Sequence, residues 1–258
     1  MTSVLRIWAI AGNTLREAIR NKLLYTLLFF AVTVIGVAVL VASLSYVEGQ
    51  RIIQDVGFAA IRLFSVGIAI FVGIGLIHGE VERRTIYTIL SKPLSRGEFL
   101  VGKFVGLLLA VWMQLVLMTG AFVLVSLATG APLDSGHAVA LLLTGLELMV
   151  VAAVATFFSA FTTPMLAALF SLGIYVLGHL SRDLRALGEQ ADLASVTAVA
   201  TWIYRLLPDL ESFNRTLEAV HGLPIPAADV GWPILYALGY TTTLLLGAVA
   251  VFQRRDFK

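Results

Sequence analysis

Hydrophobic residues fill long stretches of the chain, and charged residues are concentrated between them. A helix rises about 1.5 Å per residue, so about 20 apolar residues cross the roughly 30 Å hydrocarbon layer of a bilayer. Six segments meet or approach that length, at about residues 23–45, 56–78, 99–128, 137–160, 164–181 and 231–252. The pattern predicts an all-α integral membrane protein whose six transmembrane helices form one transmembrane domain over residues 1–258.

The composition excludes a soluble protein. Of the 258 residues, 59% are hydrophobic and 13% are charged, whereas soluble domains carry roughly 25% charged residues. A soluble enzyme or a nucleic-acid-binding domain needs a more polar surface than this chain can supply. The chain has no cysteine, and its four histidines show no metal-ligand spacing. We therefore expect no disulfide, no thiolate chemistry and no metal site.

The distribution of positive charge predicts the orientation of the spans. Six spans place both termini on one side, which holds twelve of the eighteen lysines and arginines, against five on the other side. Basic residues favour cytoplasmic loops, so both termini are predicted to be cytoplasmic.

Two segments outside the spans are predicted to be helical. Residues 4–20 are amphipathic, with Arg6, Asn13 and Glu17 on one face and Trp8 on the other, which is typical of a helix lying in the membrane interface. The alternative is a plain extension of the first span. The outer segment 182–230 is rich in helix formers and precedes the last span.

The cytoplasmic stretch 79–98 combines charges, a short apolar helix and a turn. Pro93 ends the helix because proline lacks the backbone N–H and clashes with a helical backbone. Ser95, followed three residues later by Glu98, is a capping box that predicts the start of the third span. Such an element suits docking by a soluble partner, and an ordinary charged loop remains the alternative.

Two glycine patterns are best explained by packing. The run from Gly97 to Gly102 and Lys103 resembles a phosphate-binding loop, but Phe104 replaces the Ser or Thr that Mg²⁺ requires and the run enters a span. We therefore expect no ATP binding by this chain. The pairs Gly102/Gly106 and Gly75/Gly79 predict close helix packing.

Three polar residues fall at membrane depth. They are Arg62, Gln114 and Glu147. An isolated charge inside a bilayer is costly, so each requires a partner or water. Arg62 and Glu147 lie at similar depth, and a buried ion pair that fixes the span packing is favoured over a polar patch on a transport path.

The cytoplasmic stretch carries a family resemblance. The run Glu80-x-Glu82-Arg83-Arg84-Thr85-Ile86, followed by Leu90-Ser91-Lys92-Pro93-Leu94-Ser95-Arg96 and then Gly102-Lys103, resembles the membrane subunit of type-2 ABC exporters. The run from Pro208 to Asn214 resembles a motif of bacterial members. The closest type is the stand-alone permease encoded beside an ATPase, including permeases of the copper-site-maturation kind.

The resemblance implies the roles of the parts. It implies a cytoplasmic coupling helix within 79–98, an inner-membrane location, a second copy of this permease and two copies of a cytoplasmic ABC ATPase subunit. The chain would be a non-catalytic permease without a cofactor of its own, ATP and Mg²⁺ being held by the ATPase. The implied ATPase-interface residues are Glu80, Glu82, Arg83, Arg84, Thr85, Ile86, Lys92, Pro93, Ser95 and Arg96.

Two other functions remain open from the sequence. A channel or secondary carrier working alone would show internal repeats and broken helices more often than this chain does. A membrane anchor that recruits a cytoplasmic partner through 79–98 would use the same residues as a coupled transporter. The outer segment 182–230 could also bind a periplasmic or other outer partner.

Overall fold

The computed structural model describes residues 3–45, 48–82, 95–190 and 194–254. These residues form nine α-helices and contain no strand. The helices are α1 Ser3–Ile19, α2 Lys22–Ala42, α3 Gly49–Glu82, α4 Arg96–Ala128, α5 Ser135–Ser159, α6 Pro164–Glu189, α7 Ala194–Leu206, α8 Thr216–Val220 and α9 Ala228–Arg254. Helices α2, α3, α4, α5, α6 and α9 are long and apolar enough to cross a membrane. The predicted all-α membrane fold with six spanning helices is confirmed.

Local side-chain caps fix where several helices begin. The Ser95 hydroxyl accepts a hydrogen bond from the Glu98 backbone N–H at 3.1 Å, and the Glu98 carboxylate accepts one from the Ser95 N–H at 2.9 Å. This reciprocal pair is the predicted capping box at the start of α4. Asn21 caps α2 by accepting from the Leu23 N–H at 2.9 Å. Its extended backbone also separates α1 from α2, so α1 is not an extension of the first span.

Two spanning helices are longer than the hydrophobic pattern predicts. Helix α3 begins at Gly49 rather than near residue 56, and α6 continues to Glu189 rather than ending near residue 181. Charged residues such as Arg51 and Arg182 end the apolar runs but are compatible with helical backbone. The first residues of the predicted coupling segment likewise continue α3 to Glu82.

Helices α3 and α5 form the centre of the bundle. Helix α5 packs against α3, α4, α6 and α9, and most of its residues are buried. Helices α2, α6 and α9 lie at the periphery and expose apolar side chains such as Phe29, Val176 and Leu246. Exposed apolar surface on helices of spanning length is the surface that lipid or other membrane helices cover.

Helix α1 packs closely against α4 at two glycines. A Cβ atom on Gly106 would lie 2.5 Å from the Thr14 Cβ and 2.6 Å from the Ala11 carbonyl oxygen. A Cβ on Gly102 would lie 2.7 Å from the Ile10 Cβ. The packing prediction is confirmed for this pair.

The glycine pair on α3 faces open space, so the packing prediction was wrong there within the described chain. A Cβ on Gly75 or Gly79 would meet no atom of another described residue within 4 Å. The Gly-x-x-x-Gly spacing places two small residues on one face of a helix, but it does not determine that a neighbouring helix covers that face.

Candidate functional site

Two ion pairs and a side-chain hydrogen bond join three helices at one end of the bundle. The Lys103 ammonium on α4 lies 3.0 Å from Glu17 on α1, and Arg6 on α1 lies 3.7 Å from Glu98 on α4. The Arg96 guanidinium donates to the Gln253 carbonyl of α9 at 3.1 Å. We call this end, formed by α1, the start of α4 and the end of α9, the basic end.

The phosphate-loop-like run lies inside the basic end. Residues from Gly97 to Lys103 belong to α4, so their backbone is helical and does not form a loop around a phosphate. The Lys103 side chain is 2% exposed and is paired with Glu17. This lysine therefore anchors α1 to α4.

Most of the predicted ATPase-interface residues lie outside the part of the chain that the structure describes. These residues are Arg83, Arg84, Thr85, Ile86, Lys92 and Pro93. Glu80 and Glu82 lie in the last turn of α3, and Ser95 and Arg96 form the cap and the first residue of α4. Along the chain, segment 83–94 therefore connects the end of α3 to the start of α4.

A second site is a chain of four charged side chains from four different elements. The Arg62 Nε on α3 lies 3.4 Å from the Glu147 Oε2 on α5. The Glu147 Oε1 lies 2.9 Å from the His179 Nε2 on α6, and the His179 Nδ1 lies 3.0 Å from the Glu211 Oε2 in a 3₁₀ turn before α8. We call these four residues the charge chain.

One carboxylate lies at each nitrogen of the His179 imidazole. With both carboxylates ionised, each only accepts hydrogen bonds, so the imidazole donates from both nitrogens and is positively charged. Along the charge chain, Arg62, Glu147, His179 and Glu211 then alternate in sign and sum to zero. Glu147 is fully buried, and a buried charge is tolerated where it is paired in this way.

The turn that carries Glu211 packs closely on α6. A Cβ on Gly178 would lie 2.8 Å from the Pro208 carbonyl oxygen, and the Leu210 N–H donates to the Gly178 carbonyl at 3.3 Å. The Asp209 N–H donates to the Tyr236 hydroxyl of α9 at 3.1 Å. We call residues 208–214 the outer turn, because they belong to segment 182–230, which the sequence predicts on the outer side. The absence of a side chain at Gly178 lets this turn approach α6 closely enough for Glu211 to reach the neighbouring histidine.

The outer turn holds Glu211 in its ionised form. Burial acts to raise the pKa of Glu211, but hydrogen bonds from His179 and Asn214, with the nearby positive charges, outweigh it and hold the pKa below its ordinary value. The Asn214 amide donates to the Glu211 Oε1 at 2.9 Å. Both carboxylate oxygens of Glu211 are therefore engaged.

The three polar residues predicted at membrane depth have different surroundings. Arg62 and Glu147 lie together in the charge chain. Gln114 is buried on α4, where its amide donates to the Met118 sulfur at 3.1 Å within the same helix. Among the described residues, no group of three or more His, Asp or Glu side chains could hold a metal ion.

Sequence reasoning missed two members of the charge chain, His179 and Glu211. Thirty-two residues separate each successive pair from Glu147 to His179 to Glu211, so no local spacing joins them. The available signal was Glu211 itself, since it lies in the Pro208–Asn214 run that resembles a family motif.

Comparison with known proteins decides the family. The sequence profile described as "ABC-2 family transporter protein" matches residues 8–257. The chain belongs to the ABC-2 transporter family. It is 30% identical to the "Probable ABC transporter permease protein NosY" of Stutzerimonas stutzeri, in an alignment that covers 97% of this chain and 99% of the relative. A protein of the same printed name from Pseudomonas aeruginosa is 33% identical over 39% of this chain and 38% of that relative.

This membership confirms the resemblance inferred from the sequence. The ABC-2 chain is a multi-pass transmembrane ABC transporter permease, a kind of membrane subunit that is itself non-catalytic. Membership in this family implies a partnership with an ATPase subunit.

Proposed function

We propose that this permease is the membrane half of an ATP-driven exporter. Two copies of the chain pair, and two copies of a separate cytoplasmic ATPase drive transport by binding and hydrolysing ATP. The family membership and the near full-length similarity to a protein named as an ABC transporter permease support this proposal.

In this proposal the basic end faces the bacterial cytoplasm across the inner membrane. The support is the excess of lysine and arginine on the side that holds the termini. The outer turn and α7 then lie at the opposite, periplasmic side, where the outer segment is available to an outer partner.

The observation that best supports coupling is the geometry on either side of segment 83–94. Helix α3 has 34 residues, which corresponds to about 50 Å and exceeds the roughly 30 Å hydrocarbon layer. Its candidate span ends at Gly79, so the end near Glu82 lies past the apolar part of the helix. The chain returns at Ser95 into α4, which Lys103 and Arg96 tie to α1 and α9. A force applied to segment 79–98 would act on α3 and on this linked group of helices.

The proposal assigns ATP and Mg²⁺ to the partner ATPase. The phosphate-loop-like run is helical, and Lys103 is engaged with Glu17. The stretch that begins at Glu80 and Glu82, with the turn predicted at Pro93, would instead contact the ATPase.

The test is a matched pair of double substitutions in the permease co-expressed with its neighbouring genes. E82A with R83A removes one charge of each sign at the proposed interface. E48A with R51A removes an exposed ion pair, 2.8 Å apart, at the other end of α3. We expect the first variant to lose copurifying ATPase and nucleotide-dependent activity, and the control to keep both.

Three other results would count against this proposal, each in a different way. Normal ATPase recovery and activity in the variant that combines E82A and R83A would contradict the interface. Recovery of a folded permease without any ATPase, in wild-type protein, would favour the lone carrier. Recovery of ATPase without transport would favour the anchor that only recruits it.

A further inference from the structure

Helix α3 connects the proposed ATPase end to the charge chain. It is continuous from Gly49 to Glu82, and Arg62 lies about 30 Å along the helix axis from Glu82. Its central residues are buried, including Ile61 and Ile68. Packed interiors transmit strain, so we expect a displacement at Glu82 to move Arg62 along the same continuous helix.

From Arg62, the charge chain crosses the bundle. Each of its three contacts joins different elements: α3 to α5, α5 to α6, and α6 to the outer turn. The signs alternate, so removal of any member leaves a neighbouring charge without its partner. A buried charge that loses its partner is strongly destabilising. This penalty opposes separation of the four groups and favours their movement as one unit.

The outer turn is packed against the bundle and contacts the rest of the charge chain through Glu211. Its residues Leu210, Ser212 and Phe213 are buried against the bundle, and the glycine on α6 permits the close backbone approach described above. Glu211 joins this packed turn to His179. If His179 moved together with α3 and α5, its contact with Glu211 would therefore strain or release the outer turn.

We propose that the charge chain links a displacement of α3 at the ATPase end to the position of the outer turn, with His179 as the positioning residue between them. This inference rests on the proposed function, because it takes the ATPase as the source of the displacement. It adds to that function the route by which a change of nucleotide in the ATPase alters the position of the outer turn.

The experiment uses the absence of cysteine in the natural chain. S212C introduces a single thiol at a side chain that is buried in the outer turn. The permease–ATPase complex carrying S212C is placed in lipid nanodiscs and treated with a polar maleimide, without nucleotide and with ATP plus vanadate. L217C, at an exposed position of α8, measures the intrinsic reactivity of an outer thiol in each state.

Labelling reports how often the turn opens. With the charge chain intact, we expect the labelling rate of the S212C variant, relative to that of the L217C variant, to differ by about tenfold between the two nucleotide states, because labelling of a buried thiol follows the population of the open form. H179Q should abolish this difference while ATP hydrolysis continues. R185Q, which removes an exposed charge paired with Glu189 on the same helix at 2.8 Å, should preserve it.

A second variant, E211Q, tests the inference even if H179Q does not fold. E211Q keeps the size of the side chain at the end of the charge chain, where Glu211 is 38% exposed. It should also abolish the nucleotide-dependent difference.

A difference that persists in either H179Q or E211Q would overturn the inference. So would the absence of any difference with the charge chain intact when the bound ATPase is active. Failure of the ATPase to associate would overturn the proposed function itself, so the two failures are distinguishable.

Discussion

Glu147 and His179 lie 2.9 Å apart between α5 and α6, with the carboxylate of Glu147 completely buried. The same carboxylate faces Arg62 through its other oxygen at 3.4 Å. One acid thus pairs with basic groups from two helices, and Glu211 supplies the second negative charge of the charge chain. This double role makes Glu147 the central member of the charge chain and the residue whose loss should cost most.

Replacing Glu147 by glutamine should destabilise the bundle. E147Q keeps the side-chain volume but leaves the charges of Arg62 and His179 without their shared acid, at a cost of about 3–5 kcal/mol. E189Q removes a carboxylate from an exposed pair on α6 and should cost at most about 1 kcal/mol. Thermal unfolding of both variants in one detergent measures the contrast, and equal midpoints would contradict it.

A methyl group at Gly106 should separate α1 from α4. The new Cβ of G106A would lie 2.6 Å from the Ala11 carbonyl oxygen, so backbone must move, with an expected cost of about 1–3 kcal/mol. G120A lies in the same helix, and its Cβ would meet no atom of another described residue within 4 Å. Trypsin cleavage after Arg16 or Arg20 should accelerate in G106A alone. The same cleavage rate in both variants would argue against close packing at this glycine.

The stability of the outer turn should depend on pH through Glu211. Because its pKa is lowered in the folded protein from an ordinary value of 4.5, its contribution is complete above that ordinary value and is lost as the pH falls through the lowered pKa. E211Q should therefore show a smaller loss of stability on acidification than the wild type. Unfolding midpoints measured from about pH 6 down through the ordinary glutamate value to strongly acidic pH test this, and parallel curves would refute it.

The permease should not bind nucleotide through Lys103. K103M should leave labelling of the complex by a photoreactive ATP analogue on the ATPase subunit, while weakening the attachment of α1 because Glu17 loses its partner. Mass spectrometry of the labelled peptides identifies the site. A labelled peptide from α4 that disappears in K103M would show that the phosphate-loop interpretation was correct.

The fold was largely predictable because its signals are local. Each span is a continuous apolar run, and the start of α4 is determined by Ser95 and Glu98 within one turn. The extra length of α3 and α6 was not predictable from hydropathy, since a helix continues through residues such as Arg51 and Arg182 once its first turns are formed.

The charge chain was only half predictable. Arg62 and Glu147 stand out because a charge inside a span needs a partner, and their depth along the spans is similar. Glu211 reaches His179 only because the outer turn packs over Gly178. That approach depends on tertiary packing between distant segments, which no spacing in the sequence encodes.

The most direct test of the central claim is the intact mass of the purified complex. The chain is expressed with its neighbouring genes, extracted in mild detergent and measured by native mass spectrometry. The proposed function predicts a particle with two copies of this permease and two copies of a P-loop ATPase, with the ATPase released by the combination of E82A and R83A. A folded permease that carries no ATPase, with or without nucleotide, would contradict it.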